Sequence, residues 1–147
     1  MRVAIGCDPN AGGLKTVVRD ELEALGHEVS DFGSDDPVYA NVVIEVAEAV
    51  ARGDYDRGVV LCGTGIGASI AANKVPGAYC ALVTDCYQAE RAALSNNANM
   101  IALGAQVTGD QVARVMVRTY MDNSYVPGGR SEPKIRRIYE YAASRTK

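Results

Sequence analysis

The 147-residue chain has one histidine, no CxxC pair among its four cysteines, no surplus of positive charge, and no apolar run near the roughly 20 residues of a membrane helix. Each shortage removes a class of function. With Cys7, Cys62, Cys80 and Cys86 unpaired in spacing and set in or beside apolar runs, neither a zinc site nor a disulfide framework is indicated, and reduced thiols are expected. Residues 1–7 have a strand pattern without the charge, core and cleavage layout of a signal peptide, so the expected location is cytoplasmic, with no membrane partner. A net charge of -3 argues against nucleic acid or an anionic membrane as the main partner, because phosphate-backbone binding needs a basic surface. Basic residues become dense only near the end, at Arg130, Lys134, Arg136, Arg137, Arg145 and Lys147. There is no repeat and no low-complexity tract, and 48% hydrophobic composition at this length fits one domain, residues 1–147, with a full core.

What is present is a regular alternation of short β-branched runs and helical stretches. Strands are predicted at 3–7, 28–32, 58–62, 78–83 and 99–103, and helices at 14–25, 41–52, 66–74, 86–95 and 110–121. A last amphipathic helix is predicted at 134–144, after the Pro/Gly-rich break at 125–133. Because the strand runs are nearly all apolar, they suit a parallel sheet covered on both faces. The fold class is therefore α/β: a Rossmann-like three-layer sandwich with a five-stranded parallel sheet and an extra C-terminal helix. The segment 131–147 is expected to pack on a partner subunit.

Ligands in such folds gather at the carboxyl ends of the strands, and here the first and third strands carry the richest chemistry. Segment 59–76, VVLCGTGIGASIAANKVP, sets an apolar strand, Cys62, glycines 63, 65 and 67 and a helix start in succession. Backbone amides that open a helix lack internal partners and can hold anionic oxygen, and the same field favours a thiolate at Cys62, able to act as base or nucleophile. Thr64 adds a hydroxyl. Asp8, a carboxylate ending an otherwise apolar first strand, points to function, since burying it unpaired is costly. His27, the sole histidine, begins the second strand, at the end where ligands do not gather, and reads as structural. Cys7, Cys80 and Cys86 read as small core residues, with Cys7 able to border the pocket. Gly63-x-Gly65-x-x-Ala68, with Asp85 about 20 residues on, also fits a relaxed dinucleotide fingerprint. That match falls at the third strand instead of the first, leaves no room for a substrate domain and leaves Cys62 and Thr64 unused.

The residues resemble the ribose-5-phosphate isomerase B family, which includes galactose-6-phosphate isomerase subunits and tetrulose-phosphate isomerases. The resemblance spans nearly the whole chain: IGCD at 5–8, GHEVSDFG at 26–33, LCGTGIGASIAANKVPG at 61–77, NNAN at 96–99, ALGAQVTG at 102–109 and GGR at 128–130. It implies a metal-free, cofactor-free 1,2-proton shift between an aldose phosphate and its ketose through a cis-enediolate, in a dimer or tetramer whose active sites use two subunits. Cys62 matches the family's base. Thr64 would move the proton between the two substrate oxygens, and the amides of Gly63, Gly65, Ile66, Gly67 and Ala68 would hold the oxyanion. Asp8 would bind a substrate hydroxyl. Tyr39, Asn96 and Asn99 match pocket positions, and Arg130 and Lys134 match two basic positions for phosphate.

The chain departs from that pattern at Pro9 and Ser95, where ribose-phosphate enzymes carry histidines, and at Gln106, where many relatives carry arginine. The resemblance credits the second histidine with opening the sugar ring, so Ser95 favours an acyclic substrate. A four-carbon sugar phosphorylated on its terminal oxygen cannot close a five-membered ring. VYANVV at 38–43 and AERAALSNNAN at 89–99 also resemble the erythrulose-4-phosphate isomerase branch. The expected reaction is D-erythrulose 4-phosphate to D-erythrose 4-phosphate; ribose 5-phosphate to ribulose 5-phosphate is the alternative. A noncatalytic sugar-phosphate-binding protein or a nicotinamide-binding protein are further readings.

Overall fold

Successive strand residues face opposite sides of a sheet, and the three central strands here bury both sides. The computed structural model describes residues 1–146. Strands β1 (Arg2–Cys7), β3 (Arg57–Cys62) and β5 (Met100–Gly104) are buried almost throughout. On one face Val3, Ile5, Cys7, Val59, Leu61, Ile101 and Leu103 pack against α1 (Gly12–Ala24), α4 (Cys86–Leu94) and α5 (Asp110–Asp122). On the other, Ala4, Val60, Cys62, Met100 and Ala102 pack against α2 (Tyr39–Ala51) and α3 (Ile66–Ala72). Each large aliphatic side chain so buried contributes about 1.5–3 kcal/mol.

With β2 (Glu28–Asp31) and β4 (Cys80–Leu82), the sheet is wholly parallel in the order β2-β1-β3-β5-β4. The chain winds outward from β1 to β2 and then returns past β1 to β3. The crevice for a ligand therefore opens between the carboxyl ends of β1 and β3. The α/β fold, five-stranded parallel sheet and extra C-terminal helix agree with the sequence pattern.

Several boundaries differ for local reasons. The edge strand β4 is three residues long, against six predicted, because side-chain amides take the place of a neighbouring strand. Asn73 accepts the Cys80 N–H (2.9 Å) and donates to the Cys80 carbonyl (2.8 Å), while Asn99 accepts the Tyr79 N–H (2.8 Å). Asn73 also caps α3, which ends at Ala72, short of the predicted residue 74. Helix α2 starts at Tyr39, two residues before the predicted start, and a 3-10 turn at Pro9–Ala11 precedes α1.

Helix α6 (Glu132–Arg145) starts earlier than the predicted 134, since Pro133 suits a first turn. Lys147 lies outside the described residues. The helix rests against the amino ends of β4 and β5: Ile135 is buried, the Tyr139 ring lies 5.0 Å from that of Tyr79, and Asn97 donates to the Tyr139 hydroxyl at 3.0 Å. Ile138 and Tyr141 of the same helix are exposed.

Two ionic clusters hold α5. The buried Glu21 carboxylate of α1 accepts from Arg118 (3.1 and 2.5 Å) and Arg114 (3.4 Å). The Arg57 guanidinium, stacked 4.4 Å from the Tyr120 ring centre, donates to the carbonyls of Tyr120 and Asn123. A cation is favourable at that helix end.

Candidate active site

Cys62 ends β3 on the α2/α3 face, and the chain must turn at once to begin α3. Gly65 makes the turn with φ +79°, and a Cβ there would come within 2.7 Å of the Leu82 side chain and 2.9 Å of the Leu103 backbone. The turn points the Gly65 N–H at the Cys62 sulfur, 3.2 Å away. An N–H directed at sulfur is the contact a thiolate uses. Thr64, at the exposed crest, accepts weakly from the Ile66 N–H at 3.3 Å. Ser69 is the first residue to bond back along the helix, to the Gly65 carbonyl (2.9 Å), which leaves the amides of Gly67 and Ala68 as the unpaired donors of an opening turn.

The loop is clamped from the neighbouring strand. Beyond β5, the N–H groups of Ala105 and Gln106 donate to the carbonyls of Cys62 and Gly63, both at 2.9 Å. Gly104 allows this approach, since a Cβ there would lie 2.5 Å from the Thr64 backbone. The exposed Gln106 carboxamide covers Gly63, within 3.4 Å of where its Cβ would be. Gln106 was noted in the sequence only as a lost arginine; nothing there showed that its side chain roofs the loop.

Asp8 follows β1. The register pairs Cys7 with Leu61, so Asp8 stands level with Cys62 on the adjoining strand, roughly 4.8 Å away strand to strand. It is 5% exposed, makes no side-chain capping bond to the turn it precedes, and its Oδ1 has no partner. A buried carboxylate oxygen without a partner is costly, and a ligand hydroxyl is the kind of donor that would satisfy it. Tyr39 opens α2 and lays its hydroxyl on the Cα of Gly67, where any side chain would collide with it. The fold thus brings together Asp8, Tyr39, Cys62, Gly63, Thr64, Gly65, Ile66, Gly67 and Ala68.

It does not bring Asn96, Asn99, Arg130 or Lys134 to them within one chain. Asn99 directly precedes β5, whose far end, Gly104, pairs with Cys62; five residues span roughly 13–17 Å. The Asn99 amide is also engaged elsewhere, accepting from Tyr79 and donating to the Gly77 carbonyl (2.8 Å each). Asn96, exposed, donates to the Arg91 carbonyl at 2.9 Å, and Ser95 takes an Arg91 N–H at 3.2 Å. Arg130 and Lys134 sit exposed at the start of α6, at this same end, without an ion pair among the described residues. A cavity of about 390 Å³ between residues 73–79 and the end of α6 holds none of the groups around Cys62.

The remaining titratable groups sort by burial. It pushes the Cys7 thiol up to about 11 and the Cys80 thiol up to about 12, keeping both neutral. His27, 3.2 Å from the amino terminus and at the wrong end of the sheet for Cys62, is held below its ordinary value by burial. All four cysteines are free, and among the described residues no cluster of three His, Cys, Asp or Glu side chains could hold a metal, and no helix is long and apolar enough to cross a membrane.

The model of the ribose/galactose isomerase family matches residues 3–138. A D-erythrulose-4-phosphate isomerase of Pectobacterium atrosepticum is 41% identical over 145 residues, covering 96% of this chain and 95% of that protein. A ribose-5-P isomerase B of Listeria innocua is 41% identical over 138 residues, 92% of this chain and 93% of that one. The solved ribose-5-phosphate isomerase B of Clostridium thermocellum superposes with a TM-score of 0.91 at 39% identity, covering 98% of this chain and 99% of that one. The chain therefore belongs to the ribose/galactose isomerase family, a family of aldose–ketose isomerases.

Proposed function

We propose that this protein interconverts D-erythrulose 4-phosphate and D-erythrose 4-phosphate, with Cys62 as the base. The observation that carries this reading is the pairing, on adjacent strand ends, of a sulfur held by the Gly65 N–H with a buried Asp8 oxygen that lacks a partner. Asp8 takes a sugar hydroxyl and so sets the carbon chain across Cys62. The thiolate removes the proton from the carbon beside the carbonyl, and the electron pair moves to form the C1–C2 double bond of a cis-enediolate. The amides of Gly67 and Ala68 receive the charge on oxygen. Thr64 passes a proton between the two oxygens, and Cys62 returns its proton to the neighbouring carbon.

Phosphate needs cations, and among the described residues none stands beside Cys62 in its own chain. Arg130, Lys134 and Asn96 reach the site from a second copy, whose α6 and 95–97 turn lie at the opposite end of the sheet. This makes the working unit a homodimer, with Asn99 fixing the turn that carries Asn96 and with α6 lying between subunits. Four free thiols fit a reducing, cytoplasmic setting.

The four-carbon substrate is favoured by Ser95, whose hydroxyl is taken up by Arg91 and which offers no imidazole for ring opening. Several relatives and solved neighbours are named ribose-5-phosphate isomerases, which favours ribose 5-phosphate as the second reading. A coupled assay with both sugars on wild type and Cys62→Ala tests this. The expected result is turnover of erythrulose 4-phosphate, lost at least about a hundredfold in Cys62→Ala with binding kept. Undiminished turnover in the variant removes Cys62 as base, preference for ribose 5-phosphate supports the second reading, and binding of both sugars without turnover makes the protein noncatalytic.

A further inference from the structure

Lys15 lies near the start of α1, yet it is only 5% exposed. A buried ammonium costs several kcal/mol unless paired, and its partner is Asp31 at the end of β2, Nζ to Oδ1 2.7 Å. The same oxygen accepts the Gly33 N–H at 2.9 Å. Gly33 holds φ +115°, a conformation open to glycine, and turns its carbonyl back to receive the Cys7 N–H at 3.2 Å. The next residue is Asp8. Nothing holds the Asp8 Oδ1 itself, so the direction of that carboxylate is set by its backbone.

We propose that Lys15 and Asp31 are positioning residues of the active site, aiming the Asp8 carboxylate through Gly33 and Cys7. The inference rests on the reading of Asp8 as the group that takes a sugar hydroxyl. Asp31 faces Lys15 and, at 3.8 Å, Arg19 from α1, and lies near the Cys7 thiol of β1. Burial alone would raise the Asp31 carboxyl, but the bonds from Lys15 and Gly33 hold it below its usual value. The anchor is therefore intact above the ordinary carboxylate range and fails only as pH falls through that lowered value.

Three variants separate aiming from mere bracing. Asp31→Ala removes the acceptor for both Lys15 and Gly33, and KM rises about tenfold or more while kcat changes little. Asp31→Asn keeps an oxygen for Gly33, and its rise in KM is smaller. In Lys15→Met the Asp31 carboxyl loses its Lys15 bond and keeps those to Gly33 and Arg19, so it rises, and KM climbs on the acid side at a higher pH than in wild type. Crystal structures of Asp31→Asn and Lys15→Met are expected to show the Asp8 carboxylate displaced, and they remain informative should Asp31→Ala fail to fold. Unchanged KM in folded variants, with only the melting temperature lowered, or an undisplaced Asp8, overturns the proposal. Absence of wild-type turnover on both sugars would instead overturn the catalytic reading, and the position of Asp8 in the crystals still decides this one.

Discussion

The Tyr39 hydroxyl rests on the Cα of Gly67, tying the start of α2 to the first turn of α3. The contact leaves no space for even a methyl group. Alanine at 67 improves helix propensity by up to about 1 kcal/mol, and the tip of a tyrosine can swing away. Gly67→Ala is therefore expected to melt at or above the wild-type temperature while losing at least about tenfold in kcat/KM. Differential scanning calorimetry beside the coupled assay checks both halves.

Gly104→Ala has the opposite profile. Its methyl would meet the Thr64 backbone at 2.5 Å, and main chain bonded through Cys62 and Gly63 cannot yield as a side-chain tip can. Overpacking of this kind costs about 1–3 kcal/mol. Stability and turnover should fall together in denaturant melts and assays of this variant.

Pairing of the working unit is testable by complementation. Cys62→Ala and Arg130→Ala each inactivate their own homodimers if a site draws on both chains. When the two are unfolded together and refolded at equal amounts, half the dimers are hybrids with one intact site. About a quarter of wild-type activity should return. No recovery would place Arg130 and Cys62 of one chain in one site, and an active Arg130→Ala homodimer would place Arg130 in neither.

Glu21 supplies a pH-dependent part of stability. Hydrogen bonds from Arg118 hold its carboxyl below the ordinary value, aided by Arg114 and opposed by burial. A lowered carboxyl stabilises the fold above its unfolded value of 4.5 and loses that contribution as pH falls through the folded one. Glu21→Gln should cost about 1–2 kcal/mol at pH 7 in urea melts. The gap from wild type should narrow as pH falls through that lowered value.

The glycine loop after an apolar strand could be read before any coordinates, because a tight turn into a helix demands residues without Cβ in a fixed order. Asp8 was legible for a related reason: a carboxylate closing an apolar strand has few structural uses. Asn96, Asn99, Arg130 and Lys134 were found by resemblance alone, and sequence gave no sign that they lie at the far end of the sheet. Strand order decides that, and order depends on contacts distant in the chain. The extent of β4 was misjudged because Asn73 and Asn99 replace strand partners with side chains, which no periodicity reveals. Nothing in the sequence singles out Lys15 and Asp31; only the packed structure shows the ammonium enclosed.

The clamp of residues 104–106 over the loop after β3 has a bearing on redesign. With main chain pressed against main chain on that flank, the cradle cannot be widened there without loosening the strand end that carries Cys62. Room for change is left on the opposite wall, at Tyr39 and the turn after Asp8, so evolution and engineers alike are left one pliable border.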